Sequence, residues 1–163
     1  MTSATTEEIN KVAALVKAAK VGALTTTSAD GQLVSRPLAM QEIEFDGDLW
    51  FFTQHPSSKT EEIAASPQVN VAFESGKGWV SIAGTAELVQ DAAKIDELWN
   101  TRAAAWFPEG KDDPTVALIK VHAHTAEYWS IDDPKVVGLF KVLKAAATGG
   151  QPDIGENKTI DLP

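Results

Sequence analysis

The residues best suited to chemistry stand together in Thr53-Gln54-His55-Pro56-Ser57-Ser58-Lys59, where a strand end meets a helix start with hydroxyls and a cation. The first turn of a helix leaves backbone N–H groups unpaired at the positive end of the macrodipole, so it stabilises anions. A lysine in that turn is mildly unfavourable unless an anion lies beside it. Two readings follow. Ser58 and Glu61 have the Ser-x-x-Glu spacing of a capping box, which describes an ordinary surface helix. Alternatively Ser57, Ser58, their backbone N–H groups and Lys59 form a cradle for a phosphate, which removes the conflict at Lys59. Glu61 and Glu62 are the other source of compensating charge.

A second cation, Arg36, sits on a strand whose alternation puts it on the face of Val34, Leu38 and Met40. An arginine there needs a partner: solvent, one of the many carboxylates, or a phosphate bound by its planar fork. The chain has only two arginines, Arg36 and Arg102, and spends one of them on this apolar-looking strand. The other candidates carry less. His122 and His124 share a strand face, but the sequence places no third ligand beside them, and no metal site is expected. His55 reads as a loop residue, and Gly76-Lys77-Gly78 lacks the strand-to-helix context of a phosphate loop and reads as a hairpin turn. There is no Gly-x-Ser-x-Gly or paired-carboxylate signature of a hydrolase.

The elements that must position these groups follow from periodicity. Glu7 to Lys20 carries apolar residues at helical spacing, with Thr5 or Thr6 as N-cap. Val21 to Ser28 and Gln32 to Ile43 flank the turn Ala29-Asp30-Gly31 as a hairpin. Leu49 to Gln54 is a strand, Lys59 to Ala65 a short helix, and Val69 to Ser75 and Trp79 to Gln90 are strands. Asp91 caps a helix running to about Ala105; Thr115 to His124 and Thr125 to Ile131 are two further strands, and Val136 to Ala147 a last helix. This plan predicts a mainly β fold, a six-stranded antiparallel barrel with flanking helices, over residues 1–148. The tail 149–163 mixes Gly, Pro and charge, with Ile154, Ile160 and Leu162 as its only anchors, and is expected to be irregular or packed on a partner.

Taken in order, Ser35-Arg36-Pro37-Leu38, Leu49-Trp50-Phe51-Phe52-Thr53 and Ser57-Ser58-Lys59 resemble the cofactor segment of the pyridoxamine 5′-phosphate oxidase-like FMN-binding split barrels. Trp106-Phe107-Pro108, Tyr128-Trp129 and Gly155-Glu156-Asn157-Lys158 resemble the bacterial general-stress subgroup. The resemblance implies FMN as cofactor, bound by Arg36, Pro37, Leu38, Phe52, Thr53, Ser57, Ser58 and Lys59. Ser58 stands where many of these oxidases have arginine. It also implies a homodimer with flavin in the cleft between subunits, where Trp106 and Trp129 would line the ring. The function implied is a flavin-dependent oxidoreductase of the general-stress type, its catalytic residues unknown. A non-catalytic flavin carrier and a deazaflavin-dependent reductase of the same fold are the alternatives. The chain departs from true pyridoxamine phosphate oxidases: the closing Arg-x-His-type segment that holds their substrate is missing, and the substrate arginines of the middle helix are reduced to Arg102.

Composition narrows the rest. A chain of 163 residues, 44% hydrophobic, suits one compact domain, and without cysteine it has neither disulfides nor thiolate metal sites. A net charge of -9 argues against binding nucleic-acid backbones. A polar N-terminus and the lack of a long apolar run point to a cytoplasmic address, away from membranes. Trp79, Trp99, Trp106, Phe107 and Trp129 exceed what one small barrel should hide and suggest an interface.

Overall fold

The computed structural model describes residues 3–131, 135–151 and 155–163. Helix α1 (Thr6–Ala19) starts at a capping box in which the Thr5 N–H donates to the Glu8 carboxylate and the Glu8 N–H to the Thr5 hydroxyl. It buries Val12, Leu15 and Val16 and ends at Lys20, whose φ of 64° is left-handed. Strands β1 (Val21–Thr27) and β2 (Leu33–Ala39) form the expected hairpin, in register Thr27↔Leu33 through Val21↔Ala39, with Gly31 at positive φ in its turn. Then come β3 (Asp48–Gln54), α2 (Ser58–Ala65), β4 (Gln68–Ser75), β5 (Gly78–Val89), α3 (Ala92–Leu98), α4 (Thr101–Trp106), β6 (Val116–Ser130), α5 (Lys135–Thr148) and β7 (Glu156–Asp161).

All strand pairs between these elements are antiparallel, in the order β2-β1-β4-β5-β6-β3, with β7 on β6. The two ends of that path approach through a Met40↔Phe51 bridge, which brings the sheet round into a split barrel. The interior holds Leu24, Leu49, Phe51, Val71, Phe73, Ile82, Ile119, Val121 and Tyr128, closed on one side by α1. A second cluster lies outside the barrel wall, where Trp50, Leu118 and Val116 meet Ile95, Leu98 and Phe107. β6 is therefore covered on both faces, which is why Val116 to Ile119 are all buried instead of alternating.

Four sequence expectations need correction. The stretch from Asp91 to Ala105 is not one helix. Asn100 breaks it by capping α4, its side-chain carbonyl accepting from the Ala103 N–H at 2.9 Å while its amide donates to Gln41 at 2.6 Å and to the Leu98 carbonyl at 3.2 Å. The strands on either side of His124 are one strand, β6, carrying a bulge where the register with β5 shifts at Ala83/Gly84 and His124 is left unopposed. The tail is not irregular throughout: β7 pairs with Thr125–Ser130 of β6 and buries Ile160, giving the sheet a seventh strand. Its turn-like composition hid this because β7 faces solvent at Glu156 to Thr159 and so shows no apolar alternation. Ile154 lies outside the described residues. The fourth correction concerns the start of α2.

Candidate functional site

α2 is capped one residue earlier than the Ser58–Glu61 spacing suggests. Ser57 is the N-cap and Thr60 its partner: the Thr60 hydroxyl accepts from the Ser57 N–H at 3.0 Å and donates to the Ser57 carbonyl at 2.9 Å. Thr60 is buried, and its hydroxyl also lies 3.1 Å from His55 Nδ1, so an interior threonine ties the loop to the helix. Ser58 falls to the first helical position and is exposed, and Glu61 has no part in the cap.

Arg36 is opposite Leu24 in the hairpin and points, as its alternation predicted, to the barrel's inner face, at the end that α2 overhangs. Its guanidinium donates to the Thr26 hydroxyl at 2.7 Å and to the Glu62 carboxylate at 3.0 Å, and Thr26 donates to the same carboxylate oxygen at 2.5 Å. The Thr26 hydrogen bond, and after it the Arg36 bond and the charges of Arg36 and Lys59, hold the Glu62 carboxyl below its usual range. Lys59 feels the same corner with the opposite sign. Partial burial first, then the charge of Arg36, pull its ammonium below the usual lysine range, with Glu62 offsetting in part. Arg36 thus pairs with Glu62, and Lys59 lies near enough to feel both charges, beside an N-terminus of α2 that is positive through the helix dipole.

The remaining predicted residues are distributed by strand alternation. Thr53 is buried on the inner face with Leu49 and Phe51, its hydroxyl 3.3 Å from the Gln54 carbonyl. Phe52 points outward and packs edge-on against Trp99 at 5.6 Å and against Phe107 at 6.4 Å, so its ring belongs to the outer cluster. Leu38 packs against the core, while Pro37 is exposed. Trp106 is 80% exposed at the end of α4. Trp129 stands beside Trp79 across β5 and β6, at a cavity of about 530 Å³ that also touches Gly155 and Asn157. A larger cavity, about 770 Å³, lies between α1 and the segment that follows β2. Neither cavity is lined by Arg36, Ser57, Ser58 or Lys59. The chemistry of the corner, and not cavity size, singles it out.

Two contributors escaped sequence reasoning. Thr26 is one, although the signal was available: once the Asp-Gly turn sets the register, Thr26 lies diagonal to Arg36. Thr60 is the other, and only the position of the true cap reveals it. The histidine pair is engaged elsewhere, His122 with Asp48 at 2.9 Å and His124 with Thr85 at 2.7 Å. Among the described residues no three or more His, Cys, Asp or Glu side chains converge as metal ligands, and no helix is long and apolar enough to cross a membrane.

Residues 7–153 match the family model described as pyridoxamine 5′-phosphate oxidase like. The chain belongs to this family. Protein bli-3 of Neurospora crassa is 31% identical over 158 residues, covering 90% of this chain and 75% of that protein. The crystal structure of a general stress protein 26 homologue from Jannaschia sp. CCS1 superposes with a TM-score of 0.79 at 25% identity, over 97% of this chain and all of that one. A general stress FMN/FAD binding protein from Xanthomonas citri superposes with a TM-score of 0.70 at 30% identity, over 80% of this chain and 93% of its own. The split barrel is thus the fold shared with general stress protein relatives of this oxidase-like family.

Proposed function

We propose that this protein binds FMN, with the phosphate in the Arg36–Ser57–Ser58–Lys59 corner, and acts as a flavin-dependent oxidoreductase of the general-stress type. The observation that carries the reading is that Arg36, paired with Glu62 at 3.0 Å, and the half-buried Lys59 feel each other's charge at the N-terminus of α2. Two cations placed this close repel each other and lose hydration, a cost that Glu62 offsets in part and that a phosphate, with up to two negative charges and several acceptor oxygens, would offset further. The flavin binding stated for the Xanthomonas citri protein supports the same choice of ligand. When bound, FMN supplies the redox chemistry, and this chain's residues hold and orient it. Arg36 and Lys59 would hold the phosphate, the Ser57 and Ser58 N–H groups would donate to it, and the buried wall ending at Thr53 would limit water on one side.

The homodimer is part of the proposal. Trp79, Trp129 and Ile131 leave 51%, 41% and 49% of their surface exposed around one cavity, a concentration of large apolar groups that suits a second copy over solvent. Trp106 and Trp129 would line the flavin ring in the cleft between subunits. The test is to purify the protein, identify the chromophore that accompanies it, and titrate FMN into the stripped protein at concentrations spanning the monomer–dimer transition. FMN should shift the transition toward dimer in sedimentation velocity, and NADH or NADPH should bleach the bound flavin. A stripped protein that takes up no FMN sinks the reading; a monomer that holds FMN with unchanged affinity sinks its dimeric part.

A further inference from the structure

The flavin reading leaves a pair of imidazoles on β6 unused. His122 and His124 are both exposed, two apart on the strand, with ring centroids 5.3 Å from each other. That separation suits two imidazoles sharing one ion. A metal–nitrogen bond of about 2.0–2.1 Å puts each ring centre roughly 3.2 Å from the ion, and a tetrahedral angle then sets the two centres about 5.2 Å apart. The backbone holds the pair in place. His124 stands at the β-bulge, unopposed where the register with β5 shifts at Ala83/Gly84. Gly84 lets the two strands close there, since a Cβ at that position would come within 2.3 Å of the His122 carbonyl oxygen.

Hydrogen bonds occupy one nitrogen of each ring and leave the other open. Nδ1 of His122 lies 2.9 Å from an Asp48 carboxylate oxygen. A carboxylate only accepts, so Nδ1 carries the proton and Nε2 keeps a free lone pair. Nε2 of His124 lies 2.7 Å from the Thr85 hydroxyl, which accepts as well as donates, so that a proton on Nε2 frees the lone pair of Nδ1. No other hydrogen bond among the described residues reaches either ring. A carboxylate behind an imidazole is the usual support of a metal-binding histidine, fixing its tautomer and raising its basicity. Asp48 is well set for that part: it is the register partner of His122 across β3 and β6, and Lys120 holds its other oxygen at 3.2 Å. The sequence offered no third ligand, and among the described residues the structure adds none, so water would take the remaining positions. A site with two protein ligands and open positions exchanges its ion, unlike a closed structural site. Imidazole nitrogen suits the late first-row divalent ions, with affinity greatest for copper, and a chain without cysteine has no thiolate to compete for them.

We propose that His122 and His124 chelate an exchangeable late first-row divalent cation, Cu(II) most tightly, through Nε2 and Nδ1, with Asp48 as the orienting carboxylate. The test is calorimetric titration of the purified full chain with the chlorides of Cu(II), Ni(II) and Zn(II), together with electron paramagnetic resonance of the Cu(II) form. Cu(II) should bind more tightly than Ni(II) or Zn(II), and its spectrum should show coupling to two imidazole nitrogens. His122→Gln and His124→Gln should each weaken Cu(II) by at least about 100-fold, because each removes one arm of the chelate. Asp48→Asn keeps an acceptor for Nδ1–H but loses the charge, and should weaken Cu(II) about tenfold. Wild-type affinity in either histidine variant, coupling to one nitrogen alone, or Zn(II) binding more tightly than Cu(II) would overturn the chelate. Unchanged affinity in Asp48→Asn would overturn the part given to the carboxylate.

Discussion

Removing Lys59 and removing Glu62 should move FMN affinity in opposite directions, because one is the ligand's attractor and the other its competitor. Lys59 in the ligand-free protein sits beside Arg36 with a lowered pKa, so Lys59→Ala relieves a repulsion and should not lower stability. With FMN bound, the same change removes a charge-assisted contact worth about 1.5–3 kcal/mol, so affinity should fall about 10- to 150-fold. Riboflavin has the ring but no phosphate, and its affinity should hold within about twofold. Glu62→Gln takes away a negative charge that a phosphate would otherwise confront. A unit charge about 5 Å away, at an effective dielectric between 20 and 80, contributes about 0.8–3 kcal/mol. Part of that is lost because glutamine positions Arg36 less firmly than the 3.0 Å ion pair does, so a gain of about threefold or more in FMN affinity is expected. Flavin fluorescence quenching reads both ligands on all three proteins. Equal losses of FMN and riboflavin in Lys59→Ala would refute the phosphate assignment, and a loss of FMN in Glu62→Gln would show that Glu62 is a scaffold and not a competitor.

Further consequences are open to measurement. Glu8 is held down to a pKa of about 2, first by its hydrogen bond from Lys158 and next by the Thr5 N–H, so its contribution to stability is complete above about pH 4.5 and lost as pH falls toward 2. Urea unfolding of Glu8→Gln should run below wild type at pH 6 and converge with it near pH 2; a constant gap across that range would contradict the linkage. Gly84→Ala would place a Cβ 2.3 Å from the His122 carbonyl oxygen at the β5–β6 bulge, and should cost about 1–3 kcal/mol in equilibrium unfolding, whereas a neutral change would mean that the bulge yields freely. Asn100→Ala removes a cap and strips buried Gln41 of its donor, for a loss of about 1–3 kcal/mol by the same assay; a change within error would show that water replaces both bonds. With FMN supplied, the protein should not turn over pyridoxamine phosphate, since Arg36 is held by Glu62 at α2 and Arg102 is the only other arginine; robust peroxide formation with that substrate would contradict this.

What the sequence determined by itself was local. The Asp30-Gly31 turn fixed the first hairpin and with it the inward direction of Arg36, because period-two alternation follows once the register is set. The hydroxyl-rich start of α2 announced an anion-friendly helix end, and the ordered motifs around Arg36, Thr53 and Lys59 identified the family that the comparison then showed. What only the tertiary structure decided depended on partners distant in the chain. Asn100 reads as a tolerable helix residue until Gln41, fifty-nine positions away, accepts its amide and the helix breaks there. β7 has no apolar alternation of its own, so its strand exists because β6 offers it a free edge. Phe52 and Thr53 are adjacent in sequence and look like one site, yet the pleat sends them to opposite faces, one ring to Trp99 and one hydroxyl to the barrel. Which of two glutamates would meet Arg36 was likewise invisible in Glu61-Glu62: only Glu62 lies on the helix face turned toward β1 and β2, and the packing of α2 on the barrel made that choice.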